Sequence, residues 1–177
     1  MKKILLSVCV AISLISVVIA QDKKVAIKQD KKVEEKLSYR EVGSILPPIR
    51  MIDTLKHEYS ADDFKNKNNF FLVMFNPTCG HCIKMARLVN DNKEVFKKNN
   101  VIFLAGPAML PYMPTFYQAS GITNDSPIKV GVDSASTIDR LYLYQTLPQI
   151  NVYDKNRKLI RIMHGDVSLD TLKHYIP

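Results

Sequence analysis

The chain has 177 residues, a formal charge of +8, three cysteines and 46% apolar residues. That length suits one α/β domain with extra segments, and the apolar share supports a packed core rather than a disordered chain. Three cysteines exclude a dense disulfide scaffold and paired CxxC zinc sites, and six glycines with nine prolines exclude collagen-like and low-complexity chains.

Met1-Lys2-Lys3 is a short basic start, and Ile4 to Ala20 carries no charge. Val18-Ile19-Ala20 suits a signal peptidase, so residues 1–20 read as a secretory signal peptide cut after Ala20. The alternative is an uncleaved anchor, for which the run is short of the about 20 residues a spanning helix needs. Val8 before Cys9 does not match a lipoprotein signal. Cleavage removes Lys2, Lys3 and Cys9, lowers the charge from +8 to +6 and leaves Cys79 and Cys82. The expected location is outside the cytosol, where disulfides persist.

Residues 21–36 repeat the pentad Gln-Asp-Lys-Lys-Val, and ten of the sixteen are charged. Such a segment buries too little to offset its ordering entropy and reads as a flexible tether. Its acids alternate with its lysines, so it is not read as a basic arm for lipid or nucleic acid, and no nucleic-acid partner is expected.

The domain is expected over 37–177. Ile49 to Asp53 alternates like a short strand that pairs with Glu58 to Ser60, and Ser60 with Asp63 marks a capped helical turn. Phe70 to Phe75 is an unbroken apolar run between asparagines, the pattern of a central parallel strand buried on both faces. Val101 to Ala105 repeats it. Between them, Cys82, Ala86 and Val89 follow helical spacing, so a helix from Cys79 to about Lys98 completes a βαβ unit. A helix is expected around Thr115 to Ala119, a strand at Ile128 to Val132 and a helix at Ser134 to Tyr144. Gln149 to Tyr153 and Leu159 to Met163 form a hairpin across Asp154-Lys155-Asn156-Arg157. Leu169 to Ile176 closes the chain as a short helix.

Asn76-Pro77-Thr78-Cys79-Gly80-His81-Cys82 lies where a buried strand gives way to a helix. With Thr78 as N-cap, Cys79 falls in the first turn, where free N–H groups and the helix dipole favour a thiolate. Cys82 lies one turn inward, facing the sheet. An exposed nucleophile beside a shielded partner suits dithiol exchange: Cys79 forms a mixed disulfide and Cys82 resolves it. A structural disulfide closing so short a loop restrains little, and zinc needs two more ligands than the pair supplies.

These residues resemble the thioredoxin superfamily, and most closely its exported TlpA/ResA-type thiol–disulfide oxidoreductases, over residues 40–177. The resemblance implies a thioredoxin-like α/β fold, a central mixed β-sheet with helices on both faces and an inserted segment near 107–133. It also implies a cis Pro148 facing the cysteines. Leu147 would then offer backbone groups to an extended substrate, and Gly165 would match a family glycine near the same surface. From its residues alone, Pro148 is only a strand opener. Gly80-His81 is the pair found in protein disulfide isomerase, so His81, Thr78 and Gly80 are expected to tune the thiolate. The expected reduction potential lies between about −270 mV for thioredoxin and about −180 mV for the isomerase.

One departure from the family is plain. The buried acids that help deprotonate the shielded cysteine are replaced here by Val73 and Met85. A peroxidase pattern of Pro-x-x-x-Thr-x-x-Cys is not met by Pro77-Thr78-Cys79.

The expected function is a periplasmic oxidoreductase of client thiols and disulfides, in the reducing direction. It would be recycled by a membrane-bound redox partner and act as a monomer. Its redox-active disulfide Cys79–Cys82 would be its only redox centre, with no cofactor and no metal. The first alternative is an oxidase or isomerase. The second is a copper(I) chaperone using Cys79, Cys82, His81 and methionines such as Met74, Met85, Met109 and Met113. Met109 to Met113 reads either as the wall of a partner groove or as a packed connection.

Overall fold

The computed structural model describes residues 39–142 and 146–177. The expected signal peptide, the tether and the domain start at Leu37 lie outside them, as do residues 143–144 of the helix expected up to Tyr144. Among the described residues no helix is long and apolar enough to cross a membrane.

The apolar run becomes strand β3 (Phe70–Met74), with every residue buried. Its neighbour β4 (Asn100–Ala105) runs parallel to it, in the register Phe71↔Val101 and Met74↔Leu104. The expectation of a central parallel strand holds on that side only, because β6 (Gln149–Tyr153) pairs with β3 antiparallel on the other. Strand β5 (Ile128–Asp133) extends the parallel set beyond β4. Short strands β1 (Arg50–Ile52) and β2 (Glu58–Ser60) close that edge antiparallel, and β7 (Leu159–His164) closes the other. The seven strands lie in the order β2-β1-β5-β4-β3-β6-β7.

Alternation along the strands divides the core into two. One face carries Phe71, Val73, Ile150 and Val152 and is covered by helices α1 (Gly80–Asp91), α2 (Lys93–Phe96), α3 (Met113–Ser120) and α5 (Leu169–Lys173). The other carries Phe70, Leu72, Met74 and Tyr153, under helix α4 (Thr137–Leu141) and the segment around Leu46 and Ile49. The mixed sheet with helices on both faces agrees with the expected fold class.

Several helices differ from the periodicity reading, among them the closing one, which was expected to run to Ile176 and ends at Lys173. The helix expected from Cys79 to Lys98 breaks at Asn92, which leaves helical geometry (φ −112°, ψ 33°) while its side chain donates to the Leu88 carbonyl at 2.8 Å. The α4 helix stops at Leu141 because Tyr142 turns extended and buries its ring, its hydroxyl 2.6 Å from that of Tyr153. Ahead of α3, Pro107–Tyr112 forms a 3₁₀ helix whose Met109 and Leu110 pack against the α1 face. Met109 and Leu110 are only partly buried there, and Tyr112 is half exposed at the end of the stretch.

Candidate active site

Strand β3 hands over to α1 through a turn organised by Asn76. Its side-chain oxygen accepts from the Thr78 N–H at 2.9 Å and the Thr78 hydroxyl at 2.8 Å, and its carbonyl accepts from the Cys79 N–H at 3.0 Å. Thr78 is thus committed to the turn and does not cap the helix. The N-cap is Cys79 itself, extended at φ −85° and ψ 121°, with Gly80 as the first helical residue. This corrects the expected placement of Cys79 in the first turn by one position, and it leaves Thr78 a turn residue. The Cys79 side chain therefore stands at the helix mouth, beside the unpaired N–H groups of the first turn.

Both cysteines are free thiols. Cys79 is partly exposed, while Cys82 is fully buried among Val73, Met85 and Ala86. Burial strips the Cys82 thiol of water and pushes its pKa up to about 12 from an ordinary 9.0; the Asn76 backbone offsets part of this, and a hydrogen bond to the Cys79 side chain adds to it. Val73 and Met85 are buried and apolar. Asp133 is the one carboxylate among the buried polar residues described, and it accepts from the Ile138 and Ala135 N–H groups at the start of α4 instead.

The Leu147–Pro148 bond is cis, as the resemblance implied. Gln149 pairs with Met74, which sets Pro148 beside the chain as it leaves β3 for the cysteines. Leu147 is half buried against the cluster that holds Cys82. After β7 the chain turns at Gly165, at φ +68°, a left-handed conformation that favours glycine. The Gly165 N–H donates to the Pro148 carbonyl at 2.8 Å. The next residue, Asp166, reaches across to α1, where its carboxylate accepts from the Nδ1–H of His81 at 2.8 Å. Cys79, Cys82, His81, Leu147 and Pro148 therefore share one end of the sheet, and Gly80 opens the helix there.

Sequence reasoning missed Asn76 and Asp166. An asparagine before a proline and two residues ahead of a threonine signals such a turn, so Asn76 was within reach. Asp166 lies 85 positions from its partner and has no local signal. A cleft of about 390 Å³ between the β1–β2 hairpin and α3 shares no lining residue with the dithiol. Asp53 at its rim already accepts from Leu55, His57 and Tyr59.

A dithiol at a strand-to-helix junction, with a cis-proline just ahead of the antiparallel strand that pairs with β3, invites comparison with known folds. No family model matches the chain, and no curated protein matches it. Solved structures do. The thioredoxin domain of a thiol–disulfide oxidoreductase from Bacteroides vulgatus superposes with a TM-score of 0.61 at 16% identity, covering 76% of this chain and 94% of its own. The exposed lipoprotein thioredoxin of Streptococcus pneumoniae gives 0.59 at 16%, covering 72% and 96%. A thioredoxin-like protein from Bacteroides caccae gives 0.64 at 15%, covering 86% and 55%. The chain has a thioredoxin-like fold. Within that fold Cys79 ends the loop between β3 and α1, Cys82 lies in the first turn of α1, and Pro148 stands just ahead of the antiparallel strand β6.

Proposed function

We propose that this protein is an exported thiol–disulfide oxidoreductase that reduces client disulfides. The observation that carries the reading is the asymmetric dithiol: Cys79 partly exposed at the mouth of α1, Cys82 buried one turn behind it. The Cys79 thiolate attacks one sulfur of a client disulfide. A Cys79–client S–S bond forms, and the client's second sulfur leaves as a thiolate that takes a proton from water. Cys82 then loses its proton and attacks the Cys79 sulfur, releasing the client's first sulfur. Two electrons pass to the client and the protein ends as the Cys79–Cys82 disulfide. A membrane-bound dithiol partner returns it to the reduced form. His81 and Gly80 tune the thiolate, and Leu147 with Pro148 shapes the site for an extended client segment. The apolar leader at residues 1–20 supports export, with a bacterial periplasm as the compartment. One neighbour in fold is itself an exposed lipoprotein thioredoxin.

The second reading, an oxidase or isomerase, is favoured by Gly80-His81 and by the apolar surroundings of Cys82, which slow resolution. The copper(I) reading loses one of its donors, because Met74 faces the opposite side of the sheet from Cys82. The experiment is the reduction potential of the Cys79–Cys82 couple, combined with trapping by Cys82→Ser. A potential near −270 to −180 mV (about the thioredoxin-to-isomerase range) with trapped oxidised clients supports the reductase. A potential near about −120 mV with reduced clients oxidised overturns that direction. Stoichiometric copper(I) binding without exchange activity overturns the enzyme reading.

A further inference from the structure

The residue that links the dithiol helix to the cis-proline strand lies outside the CxxC motif. Asp166 is delivered by a fixed loop. On one side Gly165 is hydrogen-bonded to the Pro148 carbonyl at 2.8 Å. On the other, Ser168 caps α5 by accepting from the Thr171 N–H at 3.2 Å. Between these two anchors, Asp166 holds the His81 ring through Nδ1 at 2.8 Å. An exposed histidine in the first turn of a helix would otherwise exchange among rotamers. A carboxylate only accepts, so the ring nitrogen it faces donates, and Nε2 is left as the nitrogen that can serve a reacting sulfur.

The geometry points to Asp166 as a positioning residue for His81, one that sets the balance between dithiol and disulfide by fixing the orientation of that ring. The inference rests on the oxidoreductase reading and deepens it. Val73 and Met85, in the buried cluster that holds Cys82, supply no carboxylate, so the charged groups placed to act on the couple are sought on its exposed side. There His81 and Asp166 are both more than half exposed (59% and 58%), which makes the contact individually weak but renewable with each turnover. A ring held with Nε2 open can accept from the Cys79 S–H, a donor that only the reduced form offers. A released one does so less, and the disulfide gains.

The test is a double-mutant cycle on the full mature chain, read as the equilibrium constant of the Cys79–Cys82 couple against glutathione. Asp166→Ala is expected to shift that constant toward the disulfide by about threefold, or about 14 mV at 29.6 mV per tenfold. In a His81→Ala background the same substitution is expected to produce no shift toward the disulfide. Asp166→Glu is expected to recover part of the wild-type value. Equal shifts in both backgrounds overturn the assignment, as does an unchanged constant in Asp166→Ala. Thermal unfolding of each variant confirms folding, which the exposure of both side chains makes undemanding. The glutathione equilibrium needs no client. Failure to trap clients with Cys82→Ser would therefore count against the oxidoreductase reading alone, and a flat cycle against Asp166 alone.

Discussion

The resolving step is the part of the proposed chemistry that the structure makes slow. Cys82 is fully buried and its thiol is pushed up to about 12 from 9.0, with desolvation the first cause. At neutral pH that reduces its thiolate fraction by about a thousandfold relative to an ordinary thiol. The loss is partly offset because a more basic thiolate is a better nucleophile, with a Brønsted coefficient of about 0.4–0.5. Over three pKa units the net slowing is about 30- to 60-fold. Once Cys79 is locked in a mixed disulfide, its hydrogen bond and charge no longer act on Cys82, so this is the upper end of the expected effect. Burial remains. The assay is stopped-flow release of thionitrobenzoate from a Cys79–thionitrobenzoate mixed disulfide. Its rate is expected to rise nearly tenfold per pH unit from pH 6 to at least pH 9. Met85→Glu, which sets a carboxylate one turn after Cys82 on the same buried face, is expected to accelerate release at pH 7 by about tenfold. It should also flatten the profile. A wild-type rate that is fast and flat across pH 6–8 would refute the reasoning, because a base not accounted for would then be serving Cys82.

Stability of the reduced protein should fall as pH rises from about 9 toward about 12. The unfolded chain releases the Cys82 proton first, so it binds fewer protons than the native state throughout that window. Buried Tyr142 and Tyr153 are raised by desolvation and act in the same direction, so the Cys82 contribution is the difference from Cys82→Ala in urea melts at several pH values. Gly131→Ala should destabilise the fold by about 1–3 kcal/mol in urea, because an added Cβ collides with the Met51 side chain and stands 2.5 Å from the Ile52 carbonyl oxygen. Asp133→Ala should cost about 1–3 kcal/mol by leaving the Ile138 and Ala135 N–H groups unpaired. Asp133→Asn should cost less, since the acceptor survives and burial already raises the carboxyl above its ordinary range.

Legibility in this sequence follows the range of the interaction. The β3 run and the β6–β7 hairpin were readable because burial on both faces and a polar turn leave local patterns of composition. The α1 face was readable because Cys82, Ala86 and Val89 repeat at helical spacing. Helix ends were not, and at three of them a side-chain hydrogen bond overrides the periodicity. Asn92 bonds back to the Leu88 carbonyl, Tyr142 leaves α4 to meet Tyr153, and Asn76 captures Thr78 and passes the cap to Cys79. The cis geometry at Pro148 came from the family resemblance, since its residues alone specify only a strand opener.

The same division runs through the site. The two sulfurs lie three residues apart and had to appear together in any reading of the chain. What surrounds them arrives by topology. Antiparallel pairing of β6 with β3 brings Pro148 alongside, β7 returns the chain to the same end, and Gly165 turns Asp166 toward His81. In the proposed chemistry the local motif specifies which bond is exchanged, while the return of the last hairpin places Asp166 beside it. Val73 and Met85, buried and apolar, sharpen that division. With Val73 and Met85 supplying no carboxylate beside Cys82, the proposed redox balance is expected to respond, at constant CxxC sequence, to changes at the rim formed by His81 and Asp166.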